Sequence, residues 1–333
     1  MESEHPLVTV ITATFNLIKD GREQFFHQCV ESVRNQTYPN IEHIVMDGAS
    51  TDGSLNLIKQ YENKGWLKCY SEPDEGMWDG MNKGLKIAKG KYICFLNSDD
   101  FYFSNDVLAK CINKLEEENT DYLFSDFNLI KRNGEFCDHV ASFPIEKFYF
   151  TMPYNHESLI CRKSIYEKLG FYDTKYRTTI DYAFAIKLIL NDCSYSYLPI
   201  TSIVARLGGG TTPNINSFSP DVLKTVSLLY KDVFTSFYPI TDEECINLFL
   251  HKKGRTKFFN RLAWYMVMKN LKHFNYAFFL KTLNVFTDVP SKVTTIYKLS
   301  LFNFIPIGKI IKRNTSLRFY LFGFLPIFKW KEE

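Results

Sequence analysis

Residues 7–126 alternate short β-branched or apolar runs with helix-spaced segments, and this alternation restricts the chain to few folds. LVTVITAT (7–14), IEHIVMD (41–47), WLKCYSE (66–72), KYICFL (91–96) and DYLFSD (121–126) read as strands. Helical patterns lie between them. One runs roughly over 20–35, and LNLIKQY follows the STDGS segment, whose Asp52 and Ser54 read as capping residues. GMWDGMNKGLKIAKG (76–90) sets Met77, Met81, Leu85 and Ala88 at helical spacing, and SNDVLAKCINKLEEE (104–118) follows with Ser104 as its expected cap. Such strand–helix units predict an α/β fold with an open, mostly parallel central sheet flanked by helices. Ligands bind such sheets beyond the carboxyl ends of the strands. Thr14-Phe15-Asn16, Asp47, Asp74 and Asp99-Asp100 all fall at those ends, and that convergence marks a site.

The acidic pair in FLNSDDFY (95–102) follows an apolar strand directly. A strand-end turn explains it, and so does a divalent cation: Mg²⁺ or Mn²⁺ takes oxygen ligands, often one or two from protein and the rest from phosphates. No GxGxxG follows the first strand and no GxxxxGK[ST] occurs, which argues against dinucleotide and P-loop sites.

The 333 residues are 45% hydrophobic, enough to bury a sizeable core, and no run approaches the ~18 apolar residues of a spanning helix. MESEHPLVTV does not read as a secretory signal. The eight Cys stand singly, so neither zinc nor a disulfide framework is expected, and reduced core thiols fit best. Charge is unevenly shared. Residues 1–250 carry 24 Lys and Arg against 34 Asp and Glu, whereas 251–333 carry 16 against Asp288, Glu332 and Glu333.

VTVITATFN, IVMDGASTDGS and EPDEGMWDGMNKGLKIAKGKYICFLNSDDFY, in this order and spacing, resemble family 2 glycosyltransferases, above all bacterial members that build O-antigen, capsule or exopolysaccharide. The likeness spans residues 6–212 and departs where Ala13 replaces the usual Pro. It implies the GT-A fold, a Rossmann-like, mostly parallel sheet. It also implies transfer of a sugar, UDP-linked by expectation, from a nucleotide-sugar to a glycan acceptor; a lipid-linked acceptor is the expectation that would explain a membrane-adhering tail. On this resemblance Phe15 and Asp47 hold the nucleotide base, Asp99 approaches the ribose, and Asp100 ligates Mn²⁺ or Mg²⁺. Thr14, Asn16, Asp74, Asn82 and Lys83 fall in the stretches that line the donor pocket, although a solvated helix lysine explains Lys83 as well.

Downstream, NHESLICRKSIYEKLGFYDTKYRTTIDYAFAIKLI (155–189) resembles the acceptor half of the family. Asp181 matches its catalytic base, and helix capping is the competing explanation. An inverting displacement needs a base for the acceptor hydroxyl. His156 and Glu157 match acceptor or phosphate contacts, with a buried structural His as the alternative. Arg206 and Gly209, in ARLGGGTTP, match a glycine-bearing loop near the phosphates, or a plain linker.

The expected organisation is a catalytic domain over 1–215 and a helical, basic-aromatic extension over 216–333, serving membrane association or oligomerisation. LSLFNFIPIGK (299–309) and FYLFGFLPIFK (319–329) repeat at a period of 20. Basic charge with aromatics suits an anionic membrane surface, met through 251–333, or a second subunit. No nucleic-acid motif accompanies it. The expected location is cytoplasmic, peripheral on the inner face of the inner membrane. The rival reading is a non-catalytic, membrane-associated scaffold on the same fold. A nucleotidyltransferase would need a Gly-rich basic loop after strand one, which TATFNLIKDG lacks.

Overall fold

Val8–Thr14 forms β1, buried at every position, at the heart of a mixed sheet. The computed structural model describes residues 5–142, 152–208, 228 and 231–232, and the backbone of four strands between 295 and 331. The chain divides into two compact units, 1–229 and 230–333.

In the first unit β2 (Ile41–Asp47), β3 (Lys68–Ser71) and β4 (Tyr92–Phe95) join β1 in the parallel order β3-β2-β1-β4. Helices α1 (Glu23–Arg34), α2 (Ser54–Asn63) and α3 (Met77–Ile87) provide the crossovers. A strand covered on both faces reads as continuously apolar rather than alternating, as LVTVITAT does. Two of its threonines have partners: Thr9 Oγ1 donates to Glu42 Oε2 at 2.9 Å, and Thr12 Oγ1 lies 3.1 Å from His43 Nε2. Helix α1 buries Phe26, Cys29, Val30 and Val33, spacings of three and four that form one stripe. Each such side chain contributes about 1.5–3 kcal/mol when fully buried.

Beyond β4 the sheet turns antiparallel. β5 (Phe101–Tyr102) precedes α4 (Val107–Glu118), which leads into β6 (Tyr122–Ile130) and the hairpin strand β7 (Phe136–Val140). β8 (Ile160–Arg162), α5 (Lys163–Leu169), α6 (Ile180–Leu190) and β9 (Tyr195–Arg206) complete the unit. β8 runs antiparallel between β4 and β6, while β9 pairs parallel with β6 and antiparallel with β5. β5–β9 pairing brings the chain after Asp100 to the end of the described unit. Helix α4 begins after Asp106 rather than at a Ser104 cap. Ser104 Oγ donates to Asp106 Oδ1 at 2.7 Å, and Gln36 Oε1 accepts from Leu108 N at 3.0 Å, so a side chain from α1's end satisfies the helix N-terminus.

In the second unit, β10 (Thr295–Leu301), β11 (Ile305–Arg313), β12 (Ser316–Leu321) and β13 (Leu325–Lys331) form an antiparallel meander. The helical extension expected over 216–333 is therefore corrected for 295–331. Most of 216–294 lies outside the described residues, as does Gly209. The 20-residue repeat is a repeat of hairpins. Leu299 and Ser300 face Gly308 and Pro306, skipping Ile307, and Phe319 and Tyr320 face Phe328 and Pro326, skipping Ile327. A proline has no N–H for the ladder, so each hairpin carries its bulge beside the proline.

Candidate active site

A cavity of about 430 Å³ opens at the carboxyl ends of β1, β2 and β4. Thr14 and Phe15 line it from β1, Gly48 from β2, Asp74, Gly76 and Met77 from the entry to α3, and Asn97, Ser98 and Asp99 from beyond β4. Asp20, Arg22 and Arg132 complete the wall. Of the residues designated from sequence, Thr14, Phe15, Asp74 and Asp99 are brought together here. Phe15 is 51% exposed, a large apolar ring held against solvent at the cavity rim.

Glycines make room for Asp74. A Cβ on Gly48 would lie 2.8 Å from Asp74 Oδ2, and one on Gly80 3.0 Å. Asp74 Oδ1 accepts from Gly76 N at 2.9 Å, and burial pushes its carboxyl above the usual range. Three cavity residues carry buried polar atoms with no partner among the described residues: Thr14 Oγ1, Arg22 Nε and Asn97 Oδ1. Buried polar atoms are normally satisfied, so these three stand out in the cavity wall.

Other designated residues hold the walls rather than forming them. Asp47 is 1% exposed; its oxygens take Ser50 N, Ser50 Oγ and Ser71 Oγ at 3.1, 2.5 and 2.6 Å. It folds the DGAS turn and ties it to β3, and its carboxylate is occupied within the protein. Asn16, at φ 45°, accepts from Thr51 N at 3.0 Å and donates its own N–H to Ser50 Oγ at 2.8 Å. Asn82 donates to Tyr172 O at 2.8 Å and accepts from Tyr172 N at 3.0 Å, so its amide fastens α3 to the acceptor-half loop. Lys83 Nζ donates to Pro73 O at 2.5 Å and pairs with Asp79 at 3.3 Å, bracing the turn that presents Asp74.

The acidic pair divides sharply. Asp99 faces the cavity, whereas Asp100 is 4% exposed and lies outside the wall. Asp100 Oδ1 accepts from Arg206 N at 2.6 Å, and Oδ2 accepts from Asn97 Nδ2 at 3.2 Å. Glu157, 2% exposed, accepts from Asn97 N at 2.7 Å. Burial, then the neighbouring Asp100 charge, pushes Glu157 well above the usual carboxyl range, and burial raises Asp100 as well, which favours a hydrogen bond from the Glu157 carboxyl to Asp100. Arg206 donates to Asp99 O and to Gln28 Oε1, and its guanidinium stacks on Phe25 and Phe101 at 4.3 and 5.1 Å. Glu157 and Arg206 thus lock the turn that presents Asp99, and neither lines the cavity.

Asp181 sits half-buried in the first turn of α6, also outside the cavity wall. Burial raises its carboxyl to about 6, against the lowering effect of the Tyr182 N–H at 2.8 Å. Tyr154 and Tyr172 lie close enough to feel its charge. Tyr172 packs on Trp78 at 4.8 Å, and His156 on the same indole at 5.2 Å. Trp78 follows cavity residue Met77, so packed rings connect the cavity to the surroundings of Asp181. Buried His156 is held below the usual imidazole range, at about 4, by desolvation, and its Nε2 has no partner among the described residues.

Sequence reasoning missed Arg22 and Arg132. Arg22 donates to Ser98 Oγ at 3.1 Å and Phe15 O at 2.6 Å. Arg132 stands in the exposed β6–β7 turn, where only the hairpin fold carries it to the cavity. The signal for Arg132 was a charged residue in a KRNG turn, which commonly marks nothing more than a solvated hairpin.

A curled α/β sheet with its cavity at the strand ends is the architecture of GT-A glycosyltransferases. The solved structure of S. aureus TarS 1-349 in complex with UDP-GlcNAc shares it with a TM-score of 0.57 at 21% identity, over 76% of this chain and 75% of that one. A mannosyltransferase from Pyrobaculum calidifontis, in complex with GDP-Man and Mn²⁺, does so at 0.52 and 16%, over 85% and 81%. The signature of Glycosyl transferase family 2 matches residues 9–180, and the chain belongs to that family. It is 28% identical over 189 residues to a PGL/p-HBAD biosynthesis glycosyltransferase of Mycobacterium tuberculosis, covering 56% of this chain and 71% of the relative. It is 31% identical over 150 residues to the putative teichuronic acid biosynthesis glycosyltransferase TuaG of Bacillus subtilis, covering 44% and 54%. The protein is a glycosyltransferase.

Proposed function

We propose that the protein moves a sugar from a UDP-sugar to a hydroxyl of a lipid-linked glycan in cell-surface polysaccharide biosynthesis, by a single inverting displacement. The observation that carries this reading is the strand-end cavity, where an exposed aromatic ring, two guanidinium groups, Asp74 and Asp99 converge around unpartnered polar atoms. The ring suits a base by stacking. Arg22 and Arg132 suit a diphosphate. The names of the mycobacterial and Bacillus relatives support surface-glycan synthesis, and the UDP-GlcNAc complex of TarS supports the donor class.

The oxygen donors at the cavity suit a divalent cation. Asp99 and the unpartnered Asn97 Oδ1 are hard ligands, and a Mg²⁺ or Mn²⁺ site commonly takes its remaining ligands from water and diphosphate. We reassign the metal contact from Asp100 to Asp99, because the carboxylate of Asp100 is taken up inside the protein. A bound cation there would offset the charge of the departing nucleoside diphosphate. Asp181 takes the acceptor proton; a carboxyl raised to about 6 is a stronger base than an exposed aspartate and is still ionised at neutral pH.

Sugar transfer or donor hydrolysis, measured with and without EDTA, tests the reading. Loss in EDTA with recovery on adding Mn²⁺ is expected. Full activity in EDTA overturns the metal role, and no turnover of any nucleotide-sugar overturns the transferase reading.

A further inference from the structure

The register of the C-terminal sheet sorts its residues by charge. Strands β10–β13 contain no acidic residue and seven cations. Directly opposed residues share a face. Lys298 opposes Lys309, Arg318 opposes Lys329, and Ser316 has Arg313 on one side and Lys331 on the other. Ile296, Ile311 and Arg318 lie in one cross-strand row, two positions from Lys298, Lys309 and Ser316 along their strands. Residues two apart along a strand fall on one face. Six cations therefore occupy one face, and Lys312 alone falls on the other, in line with Leu317 and Trp330. That second face also carries the row Tyr297, Ile310, Phe319 and Phe328.

Like charges directly opposite one another destabilise a sheet. Lys298–Lys309 and Arg318–Lys329 are two such pairs, and nothing acidic within these strands relieves them. An anionic partner laid across the face would relieve both. Among polyanions, nucleic acid is read by sheets that place aromatics on the same face as the cations, so that bases can stack. Here the aromatic row and Trp330 lie on the face away from the six cations; Tyr320, opposite Lys309, is the single aromatic in these strands that shares their face, and one ring makes no stacking row. A lipid surface needs charge without stacking, and each Lys or Arg near an anionic bilayer adds about fivefold to binding.

We propose that the basic face of the β10–β13 sheet docks the protein on an anionic phospholipid surface through Lys298, Lys309, Arg313, Arg318, Lys329 and Lys331. This inference stands apart from the sugar-transfer reading, because it rests on the second unit's register alone.

Co-sedimentation of the full-length protein with phosphatidylcholine vesicles, with and without phosphatidylglycerol, tests it. Binding is expected only with phosphatidylglycerol and is expected to weaken as salt rises. Neutralising Lys309, Arg318 and Lys329 together to Gln should cost roughly 100-fold in binding, while Lys312→Gln should cost less than about fivefold. The charge-preserving triple change Lys309→Arg, Arg318→Lys, Lys329→Arg should bind as wild type, which separates charge from folding. Equal binding to both vesicles, a Lys312→Gln loss as large as that of Arg318→Gln, or preferential binding of single-stranded RNA over the vesicles would each overturn the proposal.

Discussion

Asp100 accepts a hydrogen bond from the backbone N–H of Arg206 at 2.6 Å, across 106 positions of sequence. The bond ties the turn after β4 to the end of β9, and it gives the two adjacent aspartates opposite duties. Asp100→Ala would leave the Arg206 N–H and the Glu157 O–H buried without a partner, at a cost of about 2–4 kcal/mol. A clear drop in Tm is expected by calorimetry. Asp99→Ala should leave Tm within a degree or two while cutting metal-stimulated turnover by roughly 10²-fold or more. The reverse pattern would restore Asp100 as the metal ligand.

Glu157 needs a proton to face Asp100, and an amide needs none. Glu157→Gln can still accept from Asn97 N while donating to Asp100, so its stability should match wild type to within about 1 kcal/mol. Glu157→Ala removes both bonds and should cost several times as much. Denaturant unfolding of the two variants separates them, and equal losses would contradict the bridging role.

The contact between Gly48 and Asp74 predicts a binding defect rather than a folding one. Gly48→Ala places a methyl 2.8 Å from Asp74 Oδ2 and moves that carboxylate within the cavity. Donor affinity, read by titration calorimetry, should fall by about tenfold, since small displacements of positioned groups are costly. Asn82→Ala should act in the opposite sense. It loses the paired bonds to Tyr172, lowering stability by roughly 2 kcal/mol, with donor affinity little changed.

A base raised to about 6 sets the acid side of the rate profile. Asp181 accepts a proton only when ionised, so kcat/KM should rise with pH through about 6 and then level. Asp181→Asn should abolish that limb and lower kcat by about 10²–10⁴-fold with the fold intact. A variant that keeps both the limb and the rate would move the base elsewhere.

The first strands were legible because β1, β2 and β4 are buried on both faces and read as short runs rich in β-branched and apolar residues, interrupted in β2 by Glu42 and His43. The strand-end rule then found Thr14, Phe15, Asp74 and Asp99. It could not separate Asp99 from Asp100, because the opposite directions of these adjacent side chains depend on a partner 106 positions away from Asp100. Asp47, Asn82 and Lys83 lie in the right segments yet face inward, each held by a bond to Ser71, Tyr172 or Pro73 that no local pattern shows. Arg132 was missed because a hairpin, rather than a strand end, delivers it. The tail's aromatics and charge suggested helix, whereas in TIYKLSL the alternation of Ile296, Lys298 and Ser300 against Tyr297, Leu299 and Leu301 has period two.

The most direct test is a thermal-shift panel of nucleotide-sugars with Mn²⁺ on wild type and Asp99→Ala. A ligand at 100 times its Kd stabilises the folded state by about 2.7 kcal/mol. One UDP-sugar should raise the wild-type Tm strongly, and that shift should shrink sharply in Asp99→Ala. No shift with any nucleotide-sugar, or an undiminished shift in Asp99→Ala, would contradict a donor site built around Asp99.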